Sequence, residues 1–133
     1  MNDRQEAFGG REYLRKYTFV PALRIGNLVW ISGTTATDEK GDIVGSSIVE
    51  QAAFIFEKFE VVLNELGGSC RDIVQTTDYI VTTDRYRETA ALRSRIFGDS
   101  KPTATGVIVA GLLRPGALIE ISAVAVLSDK VIP

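Results

Sequence analysis

Histidine is missing altogether from this 133-residue chain, and only one cysteine is present. The first absence excludes Ser-His-Asp and Cys-His catalysis and removes the nitrogen ligand that most transition-metal sites require. Acid–base work therefore falls to carboxylate, Tyr, Lys, Cys or water. Cys70 has no intrachain disulfide partner, which fits a reducing compartment. There is no Asp-x-Asp-x-Asp-Gly loop or comparable carboxylate cluster, so neither metal nor cofactor is expected. Long apolar runs are missing too: no segment approaches the roughly 20 consecutive apolar residues of a membrane span. The opening stretch MNDRQEAFGGREYLRK mixes acids with bases where a signal sequence would be apolar. No membrane partner and a cytoplasmic location are expected. A net charge of −2 supplies no concentrated basic surface for phosphate neutralisation, which argues against a nucleic-acid partner. The one basic stretch, RYRETAALRSR, reads as a solvated helix face.

What is present is a globular composition, 45% apolar and 24% charged, expected to fold as a single domain over residues 1–133. YTFVPALRIGN and LVWISGTT read as a β-hairpin about Gly26-Asn27, with Pro21 marking the first strand as an edge or a bulge. SIVE, residues 47–50, has the form of a capping box. The apolar spacing after it, from Ile48 to Leu66, predicts a helix of about five turns that ends at Gly67-Gly68. DIVQTTDYIVT reads as a strand, and residues 84–97 as a second helix capped by Asp84. TATGVIVAG and ALIEISAVAVL then form two strands about the turn LRPG, residues 113–116. The order is β-β-α-β-α-β-β, an α+β fold with two helices on one face of a mixed sheet. In the last strand Ile119, Ile121, Ala123 and Ala125 share one face, and Leu118, Glu120, Ser122, Val124 and Val126 the other. Two helices cannot cover both of these apolar faces, so the second is expected to pack on another copy of the chain, with Glu120 in or near that interface.

LRIGNLVWISGTT, DIVQTTDYIVTTDRYRE, FGDSKPTAT and LIEISAVAV stand in the order and spacing of the Rid family of reactive-intermediate deaminases, also called YjgF or L-PSP, which the chain resembles from about Phe19 to Leu127. The resemblance implies a chorismate-mutase-like fold and a homotrimer with small-molecule clefts at the subunit boundaries. Ser32 and Gly33 match the family's cleft Ser-Gly, Glu120 its cleft carboxylate, and Phe19 a common tyrosine. The arginine that grips the substrate carboxylate in deaminating members is replaced by Ala104, and the cleft asparagine by Ala90. The chain thus resembles an arginine-lacking branch.

Glu120 is the expected catalytic proton relay, since desolvation beside an apolar interface disfavours its ionised form. Phe19, the Ser32-Gly33 backbone, Ala104 and Thr105 are the expected substrate-binding residues. Leaving a buried charge unpaired costs about 2 to 5 kcal/mol, so another base must stand in for the clamp if the ligand is a carboxylate. Arg24 and Arg114 are the candidates. The expected function is hydrolysis of a small enamine, imine or related nitrogenous intermediate. The alternatives are an aminomuconate-type deaminase and a non-catalytic trimer that binds a metabolite or has a regulatory role.

Overall fold

A computed structural model describes residues 4–128. Six strands form one sheet: β1 (Arg4–Ala7), β2 (Ala22–Ile25), β3 (Leu28–Thr35), β4 (Ile73–Ile80), β5 (Thr103–Ile108) and β6 (Ile119–Val126). Their spatial order is β1-β2-β3-β6-β4-β5, with only the β4–β5 pair parallel. Helices α1 (Ile48–Glu65) and α2 (Thr89–Phe97) account for the rest of the regular structure, with short 3₁₀ turns at Glu12–Lys16, Cys70–Asp72 and Tyr86–Glu88.

The expected α+β architecture is present, with three differences. A sixth strand, β1, pairs antiparallel with β2 and lies on its outer side. Its sequence RQEA has no apolar alternation: Ala7 alone of the four is buried, and the strand joins β2 through its backbone ladder. Because β1 covers that side, β2 is not an edge strand. It begins just after Pro21, whose carbonyl accepts the Ser32 N–H at 2.9 Å. The second helix is shorter than expected: Arg85 adopts a left-handed conformation (φ 60°), and α-helix begins only at Thr89, so Asp84 caps nothing there.

The hairpin turn is as the sequence implies, with Gly26 in the left-handed region (φ 62°) that a side chain disfavours. The capping box of α1 is complete: Ser47 accepts from the Glu50 N–H, and the Glu50 carboxylate accepts from the Ser47 N–H. Ile48, Ile55, Phe59 and Leu63 on α1 are buried against Val29, Ile73, Ile119 and Ile121 of the sheet. Each such side chain contributes about 1.5 to 3 kcal/mol of transfer free energy. Buried Gln51 ties α1 to the approach to β6. Its amide donates to the Gly45 and Gly116 carbonyls at 3.2 Å each, and its oxygen accepts the Leu118 N–H at 2.8 Å. The opposite face of the sheet is bare, leaving Leu28, Trp30, Val74, Val107 and Val126 exposed.

Candidate functional site

Glu120 lies on the bare face of β6, half-buried, between Thr35 of β3 and Tyr79 of β4 as its cross-strand partners. Between Ile31 and Thr34 the β3–β6 register shifts, so Ser32 and Gly33 together stand opposite Ser122. The shift brings the Gly33 backbone against the acid: a β-carbon there would lie 2.6 Å from Glu120 Oε2. Gly33 is therefore what allows the carboxylate its present position. Ser32 donates its hydroxyl to the Val20 carbonyl at 2.6 Å, leaving lone pairs rather than a proton for a ligand.

Phe19 is exposed and stacks on Tyr17 with ring centroids 5.8 Å apart. Both rings, with Ser32, Trp30, Arg4 and Arg15, line an open depression of about 590 Å³. Arg15 holds Glu12 at 2.6 Å, and that acid raises the guanidinium pKa further.

The two candidate clamp residues diverge. Arg24 is occupied, donating to the Gly26 carbonyl (2.7 Å), the Leu66 carbonyl (2.6 Å) and Asn27 Oδ1 (3.4 Å). It fastens the hairpin to the C-terminus of α1, away from Glu120. Arg114 is exposed, has no ion pair among the described residues, and lies over Gly41. It is near enough to Lys58 to disfavour that ammonium.

Ala104 and Thr105 stand on β5, at the sheet edge and separated from β6 by β4. At about 4.8 Å per strand, this puts them roughly 10 Å from the strand of Glu120. Their partners in register are Thr76 and Thr77. Side chains alternate, so Thr105 faces the bare side with Thr77, and Ala104 faces the helix side with buried Thr76. One chain therefore gathers Ser32, Gly33 and Glu120 but leaves Ala104 and Thr105 apart.

Two further groups are not visible in any local sequence pattern. Tyr79 becomes a neighbour of Glu120 only through the β4–β6 register. Lys58 of α1 donates to Thr34 Oγ1 (2.7 Å), the Thr35 carbonyl (3.0 Å), the Thr37 carbonyl (3.1 Å) and Thr37 Oγ1 (3.2 Å). Burial, then Arg11 and Arg114, bring its pKa down to about 8. It holds the end of β3 that adjoins Glu120. Cys70 is a buried thiol whose ionisation is suppressed by burial and by Glu60. Among the described residues no group of three or more Cys, Asp or Glu is placed to hold a metal, and no helix is long and apolar enough to cross a membrane.

A family model described as Endoribonuclease L-PSP matches residues 13–127. A RutC family protein of Pyrococcus abyssi is 33% identical over 105 residues, covering 78% of this chain and 82% of that protein. The 3-aminoacrylate deaminase RutC of Acinetobacter baylyi is 31% identical over 108 residues, covering 80% and 85%. Among solved structures, a YjgF/YER057c/UK114 family member from Mycobacterium tuberculosis superposes with a TM-score of 0.80 at 30% identity, over 94% of this chain and 100% of that one. The match across nearly the whole described sheet, together with these relatives, establishes that the chain belongs to the Rid/YjgF/L-PSP family.

Proposed function

We propose that this protein is a deaminase-type hydrolase of small enamines or imines, working in clefts between the subunits of a homotrimer. The observation that carries the reading is the Glu120 carboxylate seated on Gly33, whose chain neighbour Ser32 lines the aromatic depression. A relative described as a 3-aminoacrylate deaminase supports the same reaction class. In the reaction, water adds to the imine carbon while Glu120 takes its proton. That proton passes to nitrogen to give a carbinolamine; a second transfer then carries the carbinolamine hydroxyl proton to the amine as the C–N bond breaks, so a carbonyl compound and ammonia leave.

A trimer is typical of the family, and two features of this chain favour a second copy: the bare apolar face, and the separation of Ala104 and Thr105 from Glu120. In the assembled cleft Phe19, Ser32, Gly33 and Glu120 come from one subunit, and Ala104 and Thr105 from its neighbour. Arg114 is the candidate anion partner, since Arg24 is spent on backbone carbonyls. The test is keto-acid release from 2-aminoacrylate generated in situ, with Glu120→Ala as control. Turnover by wild type and none by the variant is expected; equal rates would sink the assignment.

The second reading is a non-catalytic trimer whose clefts bind a metabolite. Ala104, in place of the arginine, favours it. Ligand-dependent thermal stabilisation without turnover would select it. An aminomuconate-type substrate is a variant within the hydrolase reading, distinguished by the size of substrate accepted.

A further inference from the structure

The helix side of the molecule carries a groove that the proposed reaction does not use. It encloses about 410 Å³ between α1 and α2, on the opposite side of the sheet from Glu120. The two helices pack through Phe56 and Phe97, whose rings meet edge to face with centroids 5.6 Å apart. The groove has an apolar floor: Phe56 and Leu92 are buried, and Ala53 and Ile96 are half-buried.

Four charged side chains also line it, sorted by sign onto two walls. Glu57 and Glu60 stand on α1, one helical turn apart. Arg95 is in the last turn of α2, and Arg71 donates to the Phe97 carbonyl at the C-terminus of the same helix, at 3.4 Å. Among the described residues none of these acids and bases comes within ion-pair distance of the other sign. Glu60 spends one oxygen on the Cys70 N–H, at 2.8 Å. Glu57 and Arg95 are exposed and make no side-chain hydrogen bond among the described residues. Ions that face water gain little by pairing, so keeping them apart costs the chain little. It leaves both walls open to a ligand, and the apolar floor between them lowers the local dielectric and strengthens what they hold.

The two walls set the ligand's chemistry. A simple anion would lie close to Glu57 and Glu60, and a simple cation close to Arg71 and Arg95. A ligand with both charges satisfies each wall and leaves the groove neutral. Helices in contact have axes about 8 to 10 Å apart. In an α-amino acid the ammonium nitrogen and a carboxylate oxygen are about 3 Å apart. With a charge-assisted bond of about 2.8 Å at each end, the whole bridge spans about 8.5 Å, which fits the width between two such helices. The remaining volume and the Phe56, Leu92 and Ile96 floor suit an apolar side chain.

We propose that the α1–α2 groove binds an α-amino acid with an apolar side chain, its ammonium on Glu57 and Glu60 and its carboxylate on Arg71 and Arg95. The thickness of the sheet separates this site from the Glu120 cleft, so its ligand is an effector and not a substrate. The inference goes beyond the hydrolase reading and does not depend on it.

The test is amide NMR of the full chain in its native assembly, titrated with L-leucine and L-phenylalanine. Leucinamide, which lacks the carboxylate, and 4-methylpentanoate, which lacks the ammonium, serve as half-ligands. At least one amino acid is expected to shift the Glu57, Cys70 and Arg95 signals saturably. Each half-ligand is expected to bind about tenfold more weakly than leucine, as the loss of one charge-assisted bond implies. Glu57→Gln and Arg95→Gln change exposed positions, so circular dichroism should stay unchanged while affinity falls about tenfold in each. No saturable response to either amino acid overturns the site. An equal response to a half-ligand, or wild-type affinity in both variants, does the same. Shifts confined to Ser32, Gly33 and Glu120 would place the amino acid in the other cleft and overturn it too. Because the readout is binding at a separate face, neither this result nor the Glu120 turnover test decides the other.

Discussion

Gly33→Ala tests the seat of the carboxylate. The new β-carbon would stand 2.6 Å from Glu120 Oε2, 3.5 Å from its Cδ and 3.6 Å from its Cγ, while ordinary contact begins near 3.4 Å. The oxygen must retreat by about 0.8 Å, and no backbone atom is among the three nearest neighbours. A flexible side-chain end absorbs this by leaving its rotamer minimum, at about 0.5 to 1.5 kcal/mol. For a chain of this size that lowers Tm by roughly 2 to 6 °C. The catalytic consequence is larger, since misplacing a reacting group by about 1 Å costs on the order of 100-fold in rate. In the coupled keto-acid assay, kcat/KM is expected to fall about 100-fold while the folded fraction stays near complete at 25 °C. Wild-type activity in Gly33→Ala beside an inactive Glu120→Ala would refute the reasoning: the carboxylate would be needed, but its seat on Gly33 would not.

Gln51→Leu strands the Gly45 and Gly116 carbonyls and the Leu118 N–H, at about 1 kcal/mol or more each. Urea unfolding should show a loss of about 3 kcal/mol, and a loss under 1 kcal/mol would mean the loop finds other partners. The folded-state pKa of Lys58, about 8, lies below its reference value of 10.5. The unfolded chain therefore binds this proton more tightly, so the stability linked to it is fully present above pH 10.5 and is lost as pH falls through 8. The stability difference between wild type and Lys58→Met should rise between pH 8 and 10.5, and a flat difference would contradict the shift. Trp30→Asp places a charge on the bare face and should convert the proposed trimer to 14.5 kDa monomers in sedimentation; a trimer that survives the change would put the interface elsewhere.

The fold was legible where side chains alternate or recur at helical spacing. α1 announced itself through Ser47, Glu50 and eight positions from Ile48 to Leu66. β6 did so through its two apolar faces, and the hairpin through Gly26-Asn27. β1 was illegible because RQEA is held by backbone pairing, which leaves no mark on composition. The start of α2 was misread because Asp84 has the chemistry of a cap, while the left-handed Arg85 that follows interrupts the helix. Glu120 stood out as a lone acid in an apolar run. Gly33 entered only through the family resemblance, and Tyr79 not at all, because both meet Glu120 through register, over separations no local pattern spans. The buried Asp78, which accepts from Tyr86 and Arg93, was silent for the same reason: its partners lie 8 and 15 residues away.

Trp30 is the only tryptophan in the sequence, and it stands 43% exposed on the bare face, at the wall of the depression that Phe19 and Ser32 share. The molecule thus carries its one indole at the place where subunit contact and ligand entry are expected to meet. Separated chains should emit at the longer wavelengths of a wet indole, and assembly should shift the band toward the blue. Filling the depression should then quench or shift what remains. A dilution series and a metabolite panel can both be followed through this one residue without labels.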